Sequence, residues 1–501
     1  MWTALAQAFA TVFEPYTILV MVLASLFGLF VGAVPGLTAT MATALLVPVT
    51  FFMPPIPAIA AIVTATAMAI FSGDIPGCLL RIPGTPASAA YTDEAFAMTR
   101  KGQAELALGA GLVFSAIGGL FGTAVLIVAA PALAEFAIRF SSFEYFWLVL
   151  LGLTCAVFIT SDRPLKGLIT LFLGLLVACV GLGNPAGFPR FTLGNSELMA
   201  GIGMIPMMIG MFAVSEVLRF AADTSPPGQM VVERVGNVFA GQWNLAKKYW
   251  VQILRGSSLG TLVGALPGAG ADIAAWMSYA VSKKFSKEPQ KFGTGHVEGI
   301  VESGSANNSA LAGAWIPALV FGIPGDSITA IVIGVLYMKN LNPGPTLFTT
   351  NPQNIYAVFM LFIIANIIMV PLGILCIKAS KQILKVPRRI LMPLILVFCI
   401  VGTFAINNSL FDVGIMLVAG VVAYVLEDNG FPIAPAILGV VLGGMLEETF
   451  VSSLIKSEGN LLEFVARPIS STLAAITLLV WLAPVALRRA RAAREFSSTR
   501  N

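Results

Sequence analysis

Apolar residues fill this chain in blocks of membrane-spanning length from Thr17 to Leu487, separated by short polar loops. A helix crosses the hydrocarbon layer with about 20 apolar residues, and its backbone groups must be satisfied internally. Uninterrupted blocks of that kind lie at 105–131, 143–160, 167–183 and 198–220, then at 354–377, 391–407, 411–426 and 432–446, with a last one at 469–487. Each set of four follows two apolar stretches interrupted by Pro-Gly pairs, at 15–53 and 56–92 and again at 250–283 and 298–338. The pattern predicts helices throughout. Met1 to Phe13 has neither a basic n-region nor an A-x-A site, so it reads as an uncleaved interfacial helix anchored by Trp2, Phe9 and Phe13.

Composition narrows the class further. The chain is 501 residues long, 57% hydrophobic and only 11% charged, where soluble domains carry about 25% charged residues. A water-soluble enzyme and a fibrous protein are excluded on that balance. A net charge of +4 is too small and too dispersed for a nucleic-acid partner. Cys78, Cys155, Cys179, Cys376 and Cys399 sit in apolar stretches without CxxC spacing and read as small core residues. His296, the single histidine, provides no metal cluster. No cofactor is expected.

The interrupted stretches repeat. GLFVGAVPG (28–36) and GTLVGALPG (260–268) share six residues, with Gly36 and Gly268 lying 232 positions apart. Ile82-Pro83-Gly84 matches Ile323-Pro324-Gly325, and Pro206 and Gly210 match Pro435 and Gly439, 229 positions on. Three anchors in one order mark a duplication. Lys and Arg collect at 100–101, 163–166, 283–291, 378–389 and 488–494, and are sparse at 51–57, 184–197, 340–353 and 407–411. With the basic set cytoplasmic, the chain leaves the first IPG on the basic side and the second on the sparse side. The two copies are therefore expected to be inverted. Inverted repeats with Pro/Gly breaks at matching positions point to a secondary transporter whose site lies where the breaks meet.

Pro removes a backbone donor and Gly tolerates unusual dihedrals, so each pair stops a helix inside the membrane. The freed N–H and C=O groups must face protein or a hydrated cavity. Half-helix N-termini favour anions, and freed carbonyls hold cations. The alternative is that such pairs are mere kinks or close-packing sites.

At these motifs the chain resembles the large membrane subunit of the tripartite tricarboxylate transporters, from about Gly28 to Glu448. The stretches that carry the likeness are GAVPGLTATMATALLVP (32–48), RIPGTPASAAYTDEAFAMTRKGQAELALGAG (81–111), GALPGAGADIAAWMSYAVSKKFSKEP (264–289) and ESGSANNSALAGAWIPALVFGIPGDSITAIVIG (302–334). The resemblance implies uptake of small di- or tricarboxylates in a bacterial inner membrane, coupled to a Na⁺ or H⁺ gradient. It also implies a small membrane subunit and a periplasmic solute-binding protein as partners, and leaves room for a homo-oligomer. Arg81 and Asp326 depart from the family's pattern beside the IPG motifs, so citrate itself does not follow.

The expected substrate contacts are backbone groups near Gly36, Gly84, Gly268 and Gly325, the hydroxyls of Thr38, Thr85, Ser88 and Ser327, and the charge of Arg81. Thr40, Thr43 and Thr329 are weaker candidates. The plain alternative for each hydroxyl is its own helix backbone. For the coupling ion the candidates are Asn307 and Asn308, just ahead of the helix containing Trp315, with Asp272 and Asp326. Asp74, seven residues before Arg81, is a possible partner for it. Glu298 and Glu302 share a helical face and suit the cytoplasmic surface, and Glu447-Glu448 an external, solvated helix end.

The resulting expectation is an all-α polytopic membrane protein of two inverted-topology repeats with re-entrant hairpins and broken helices, about 11–12 spans in all. Its segments are an interfacial stretch at 1–14, a first repeat at 15–220, a cytoplasmic linker at 221–249, a second repeat at 250–448, and a final span with a basic cytoplasmic tail at 449–501. The hairpins and broken crossings form the expected moving unit. A stand-alone carboxylate carrier or channel is the alternative. An intramembrane aspartyl protease is remote, since G-x-G-D and a Tyr-Asp pair are both missing.

Overall fold

The computed structural model describes residues 2–160, 164–183, 187–222, 237–384 and 386–482. Residues 223–236 of the expected linker at 221–249 and the whole basic tail lie outside them. The described residues are helical, with one isolated bridge between Gly181 and Arg190. The helices are α1 (Trp2–Val12), α2 (Pro15–Ala33), α3 (Ala39–Phe51), α4 (Pro55–Ser72), α5 (Asp74–Leu80), α6 (Thr92–Arg100), α7 (Ala104–Ala137), α8 (Ser142–Thr160) and α9 (Pro164–Ala178). Next come α10 (Met204–Ile209), joined through a π-turn to α11 (Ser215–Ala222), then α12 (Gln242–Lys248), α13 (Trp250–Gly264), α14 (Gly270–Phe285), α15 (Val297–Phe321) and α16 (Ser327–Met338). The chain closes with α17 (Leu347–Thr350), α18 (Pro352–Ile383), α19 (Arg388–Asn407), α20 (Leu410–Asp428), α21 (Ala434–Lys456) and α22 (Pro468–Leu482). Eight helical stretches among the described residues are long and apolar enough to cross a membrane, counting α4–α5 and α10–α11 as one each. This is an all-α polytopic membrane protein.

The breaks arise where the sequence places Pro and Gly. α2 starts with Pro15 at its first turn, where the missing N–H costs nothing, and stops before Val34-Pro35-Gly36. Gly36 and Gly268 both take the left-handed region, at φ 85° and 83°. The hairpin arms are short: 13 residues in α3, 15 in α13 and 16 in α14. At 1.5 Å per residue the second hairpin's arms reach about 22–24 Å, less than the hydrocarbon thickness of about 30 Å.

The duplication is written into the packing. The helix before each IPG ends on a left-handed residue, Arg81 (φ 59°) and Gly322 (φ 69°), 241 positions apart. Arg81 N–H donates to Gly77 O and Gly322 N–H to Ala318 O, while Ile82 N–H reaches Pro76 O and Ile323 N–H reaches Pro317 O. Each of these pairs is again 241 apart. A methyl added at Gly28 or Gly32 would meet Ala65 O or Ala69 O at 2.1 and 2.3 Å. Added at Gly260 or Gly264, it would meet Ala306 O or Ala310 O at 2.3 and 2.2 Å. Gly84 faces Gly32 O and Gly325 faces Gly264 O in the same way, at 2.7 and 2.6 Å. Helices approach this closely only through glycine.

Two compact units make up the chain, Met1–Ala137 with Gly203–Val425, and Ile138–Ile202 with Leu426–Asn501. In the first, α2 packs on α4 and α13 on α15, while α7 lies along α15 and α18 along α4. The long helix of each copy thus covers the broken helix of the other. The second unit holds α8, α9, α21 and α22. There Gly174 touches the backbone of Ala436, Arg190 forms a two-bonded pair with Glu447 at 2.7 and 2.8 Å, and Glu144 accepts from Arg467 and Ser470. Compactness cuts the chain along a different line from the duplication, since both units draw helices from both copies.

Candidate functional site

The first hairpin turns at Gly36, and Thr38 caps α3 by accepting from Met41 N–H at 3.1 Å. Thr43 is buried deeper, bonded to Ala39 O and to Thr66 Oγ1. After the first IPG, Thr85 and Ser88 close a tight reciprocal turn. Ser88 N–H donates to Thr85 Oγ1, Thr85 N–H to Ser88 Oγ, and Ser88 Oγ–H to Thr85 O. The next backbone group crosses to the other copy: Ala87 N–H donates to Asp272 Oδ1 at 3.1 Å, and Trp276 Nε1–H to Pro86 O at 3.2 Å. The α14 arm of the second hairpin therefore holds the first IPG loop. Reciprocally, α3 of the first hairpin packs on α16, which follows the second IPG.

In the second copy the break is tied internally. Gly268 N–H donates to Gly325 O at 2.8 Å. Asp326 caps α16 through a reciprocal box with Thr329, its Oδ1 accepting from Thr329 N–H and Oγ1–H at 2.7 Å each. Gly270, in the left-handed region, leaves room for the Asp326 side chain, whose Cβ an added methyl would meet at 2.7 Å. Asp272 lies two residues beyond Gly270, against which the Asp326 side chain rests. Ser327 is half-buried in the first turn of α16. The two copies thus differ in charge at matching helix starts. A neutral Thr38 caps α3, whereas Asp272 and Asp326 occupy the starts of α14 and α16, where helix dipoles stabilise carboxylates.

Several expectations change. Arg81 does not reach Asp74; it is exposed and pairs with Asp93 on α6 at 2.9 Å, because the left-handed cap turns it outward. The N–H groups of Gly84 and Gly268 are not free to meet a ligand. Gly84 N–H donates to Gly73 O at 3.0 Å, and Gly268 N–H to Gly325 O. Asn307 and Asn308 do not precede the Trp315 helix but lie in the middle of α15, buried. Their small neighbours admit α7 and α13 at backbone contact. Glu298 and Glu302 are not on a solvated face. Glu302 is fully buried and takes two 2.6 Å bonds from Arg255, and Glu298 accepts from Gln252 and Ser286. Glu447 and Glu448 lie within α21 rather than at a helix end; Glu447 is half-buried and held by Arg190, while Glu448 is exposed.

Two residues carry no signal in the sequence beyond their place just after the first IPG motif. Tyr91 donates to Asp74 Oδ1 at 2.6 Å, both groups buried. Glu94, also buried, accepts from the N–H groups of Gly293, Gly295 and His296 and from Tyr279 Oη. That carboxylate fastens α6 of the first copy to the loop before α15 of the second.

The family model described as tripartite tricarboxylate transporter TctA matches residues 18–438. The chain belongs to the TctA family. An uncharacterised 52.8 kDa protein of the TAR-I ttuC′ 3′ region of Agrobacterium vitis is 34% identical over 474 residues, covering 95% of this chain and 94% of that protein. An uncharacterised protein of the TAR-II ttuC′ 3′ region of the same organism is 37% identical over 220 residues, 44% of this chain and 91% of that protein. No solved structure matches. This TctA chain is a multi-pass membrane component of a transporter, and the broken, crossed segments of its first unit are its candidate transport site.

Proposed function

We propose that this TctA chain is the large permease of a binding-protein-dependent system that takes up small di- or tricarboxylates, driven by an inward Na⁺ or H⁺ gradient across the bacterial inner membrane. The observation that carries the reading is the bond from Ala87 N–H to Asp272, which joins the break of one copy to that of the other. Two duplicated breaks in contact make a site that both halves must reshape together, as alternating access requires. The charge difference between the copies supports a division of labour between its ends. A substrate carboxylate suits the α3 start, with Gly36 and Thr38, together with the hydroxyl turn of Thr85 and Ser88. The cation suits the end lined by Asp272 and Asp326. Gly84, Gly268 and Gly325 then shape the site by letting backbones touch, and Arg81 offers an exposed charge at its edge.

The test is uptake into vesicles carrying the chain with its small membrane subunit, with a solute-binding protein added or omitted. Imposed Na⁺ and H⁺ gradients are compared over a panel of mono-, di- and tricarboxylates. The expected result is accumulation of a di- or tricarboxylate against its gradient, only with the binding protein and one of the two ions. Equilibration without accumulation would favour a channel. Full-rate accumulation by the chain alone would favour a stand-alone carrier.

A further inference from the structure

Asp74 lies near the middle of the first copy's broken crossing, at the start of α5. The same repeat spacing that aligns Pro76 with Pro317 aligns Asp74 with Trp315, a buried aromatic packed on Phe362. The duplication would place an apolar ring there; this chain places a carboxylate. Asp74 is 6% exposed, Tyr91 2%, Asn307 0% and Asn308 2%. Their bonds run one way: Asn307 Nδ2–H donates to Tyr91 Oη at 3.4 Å, and Tyr91 Oη–H donates to Asp74 Oδ1 at 2.6 Å. Three buried acceptors are left over, Asp74 Oδ2, Asn307 Oδ1 and Asn308 Oδ1, and none has a protein donor. Gly111 of α7 faces Asp74 Oδ2 without a side chain, and a methyl there would stand 2.9 Å from it.

No basic side chain among the described residues pairs with Asp74. Arg81 is held by Asp93 and Arg255 by Glu302. Tyr91 is the titratable group that faces it. Of the elements packed on α5, α4 carries no titratable residue and α2 only the exposed Tyr16. On α6, Asp93 turns out to Arg81 and Glu94 is bound by the 293–296 loop, leaving Arg100 exposed at the helix end. On α7, Glu105 and Glu135 lie near the two ends of the helix.

An internal water would satisfy the acceptors but leave the charge. A buried carboxylate in a membrane protein requires a positive counterpart. We propose that Asp74, with Tyr91 and the amide oxygen of Asn307, forms a monovalent-cation site that takes up H⁺ or Na⁺ and couples it to transport. The site rests on the ion-coupled reading above and adds a group to it. Oxygen acceptors from a carboxylate and an amide are the donor set that a hard monovalent cation prefers. A proton on Asp74 Oδ2 would neutralise the same charge.

The experiment uses the full-length chain. Asp74→Asn keeps the size of the side chain and an oxygen for Tyr91 to donate to, and removes the charge. In uptake driven by a Na⁺ gradient in one arm and an H⁺ gradient in the other, this variant is expected to lose accumulation by about tenfold or more. Tyr91→Phe keeps the ring and is expected to move the half-saturating concentration of the driving ion by about threefold or more, with the carboxylate preference unchanged. In a second readout, the melting temperature of the purified unmodified chain is expected to respond to Na⁺ against a choline control, or to pH. In Asp74→Asn that response disappears. A response to Na⁺ identifies the ion as sodium, and a response to pH alone identifies it as the proton. Accumulation by Asp74→Asn within about twofold of the unmodified chain overturns the site. So does an unmodified chain whose melting responds to neither ion, whatever uptake shows. Should Asp74→Asn fail to reach the membrane, an unchanged ion dependence in Tyr91→Phe overturns it. An unmodified chain that binds a cation but accumulates nothing would contradict the coupling reading and leave the site standing.

Discussion

Arg81 takes a left-handed backbone conformation that its counterpart Gly322 adopts without strain. For a residue with a Cβ that conformation costs about 1–2 kcal/mol, and the exposed pair with Asp93 returns at most about 1 kcal/mol. Arg81→Gly should therefore leave stability within about 1 kcal/mol of the unmodified chain by thermal unfolding. Any loss of uptake then reports the charge alone. A carboxylate uptake rate that stays the same removes Arg81 from the substrate site. The glycines of the IPG motifs behave differently. An added methyl at Gly84 meets Gly32 O, Gly73 O and Gly73 Cα at 2.7 Å, and at Gly325 it meets backbone at 2.6 Å. Gly84→Ala and Gly325→Ala should each cost about 1–3 kcal/mol from overpacking. Gly304, mid-way along α15, has open space around the same position, and Gly304→Ala should be neutral or stabilise by up to about 1 kcal/mol. Equal melting temperatures for all three would contradict the close-packing account. The sequence exposes these glycines because Pro-Gly pairs are rare and duplicated. It hides their partners, since nothing local says that Gly84 will rest on Gly32.

At the scale of elements, small residues mislead a reader who expects apolar helices. SGSANNSALAG reads as a polar stretch ahead of a helix, yet it is the centre of α15. Its small side chains are what crowding requires: Gly260 and Gly264 of α13 and Gly118 and Gly122 of α7 all press on its backbone carbonyls. Hydropathy registers the lost apolar area and cannot register the neighbours that make it necessary. Loop chemistry is equally opaque, because Glu94 and the Gly293–His296 loop are about 200 residues apart. That carboxylate accepts from three backbone N–H groups and a tyrosine hydroxyl. Glu94→Gln turns one acceptor oxygen into a donor group facing donors, which should cost about 2–3 kcal/mol in thermal unfolding. The same substitution should loosen α6 from α15, read as faster amide exchange over residues 92–100 and 293–296. Unchanged exchange in both segments would mean that the clamp is not what holds them.

For the whole molecule, each copy ends its broken segment by gripping the hairpin of the other. Lys101, just beyond α6, donates to Thr294 O at 2.6 Å, beyond the second hairpin. Lys339, just beyond α16, donates to Phe51 O and Met53 O at 2.7 Å, capping the C-terminus of α3 where a cation is favoured. The two grips correspond through the duplication, so inverted copies must place them on opposite faces of the membrane. On the positive-inside expectation the Lys101 end is the cytoplasmic one. It holds the basic 283–291 loop, while the stretches beside Lys339, 51–57 and 340–353, contain no charged residue. Single cysteines decide the point. Lys287 and Asn342 are exposed, and of the native thiols Cys78, Cys155, Cys376 and Cys399 are buried and Cys179 half-buried, which keeps the background low. Lys287→Cys should react with a membrane-impermeant maleimide only from the cytoplasmic side, and Asn342→Cys only from the outside. If both react from one side, the copies are parallel. Their breaks could not then exchange access by the same movement run in opposite directions.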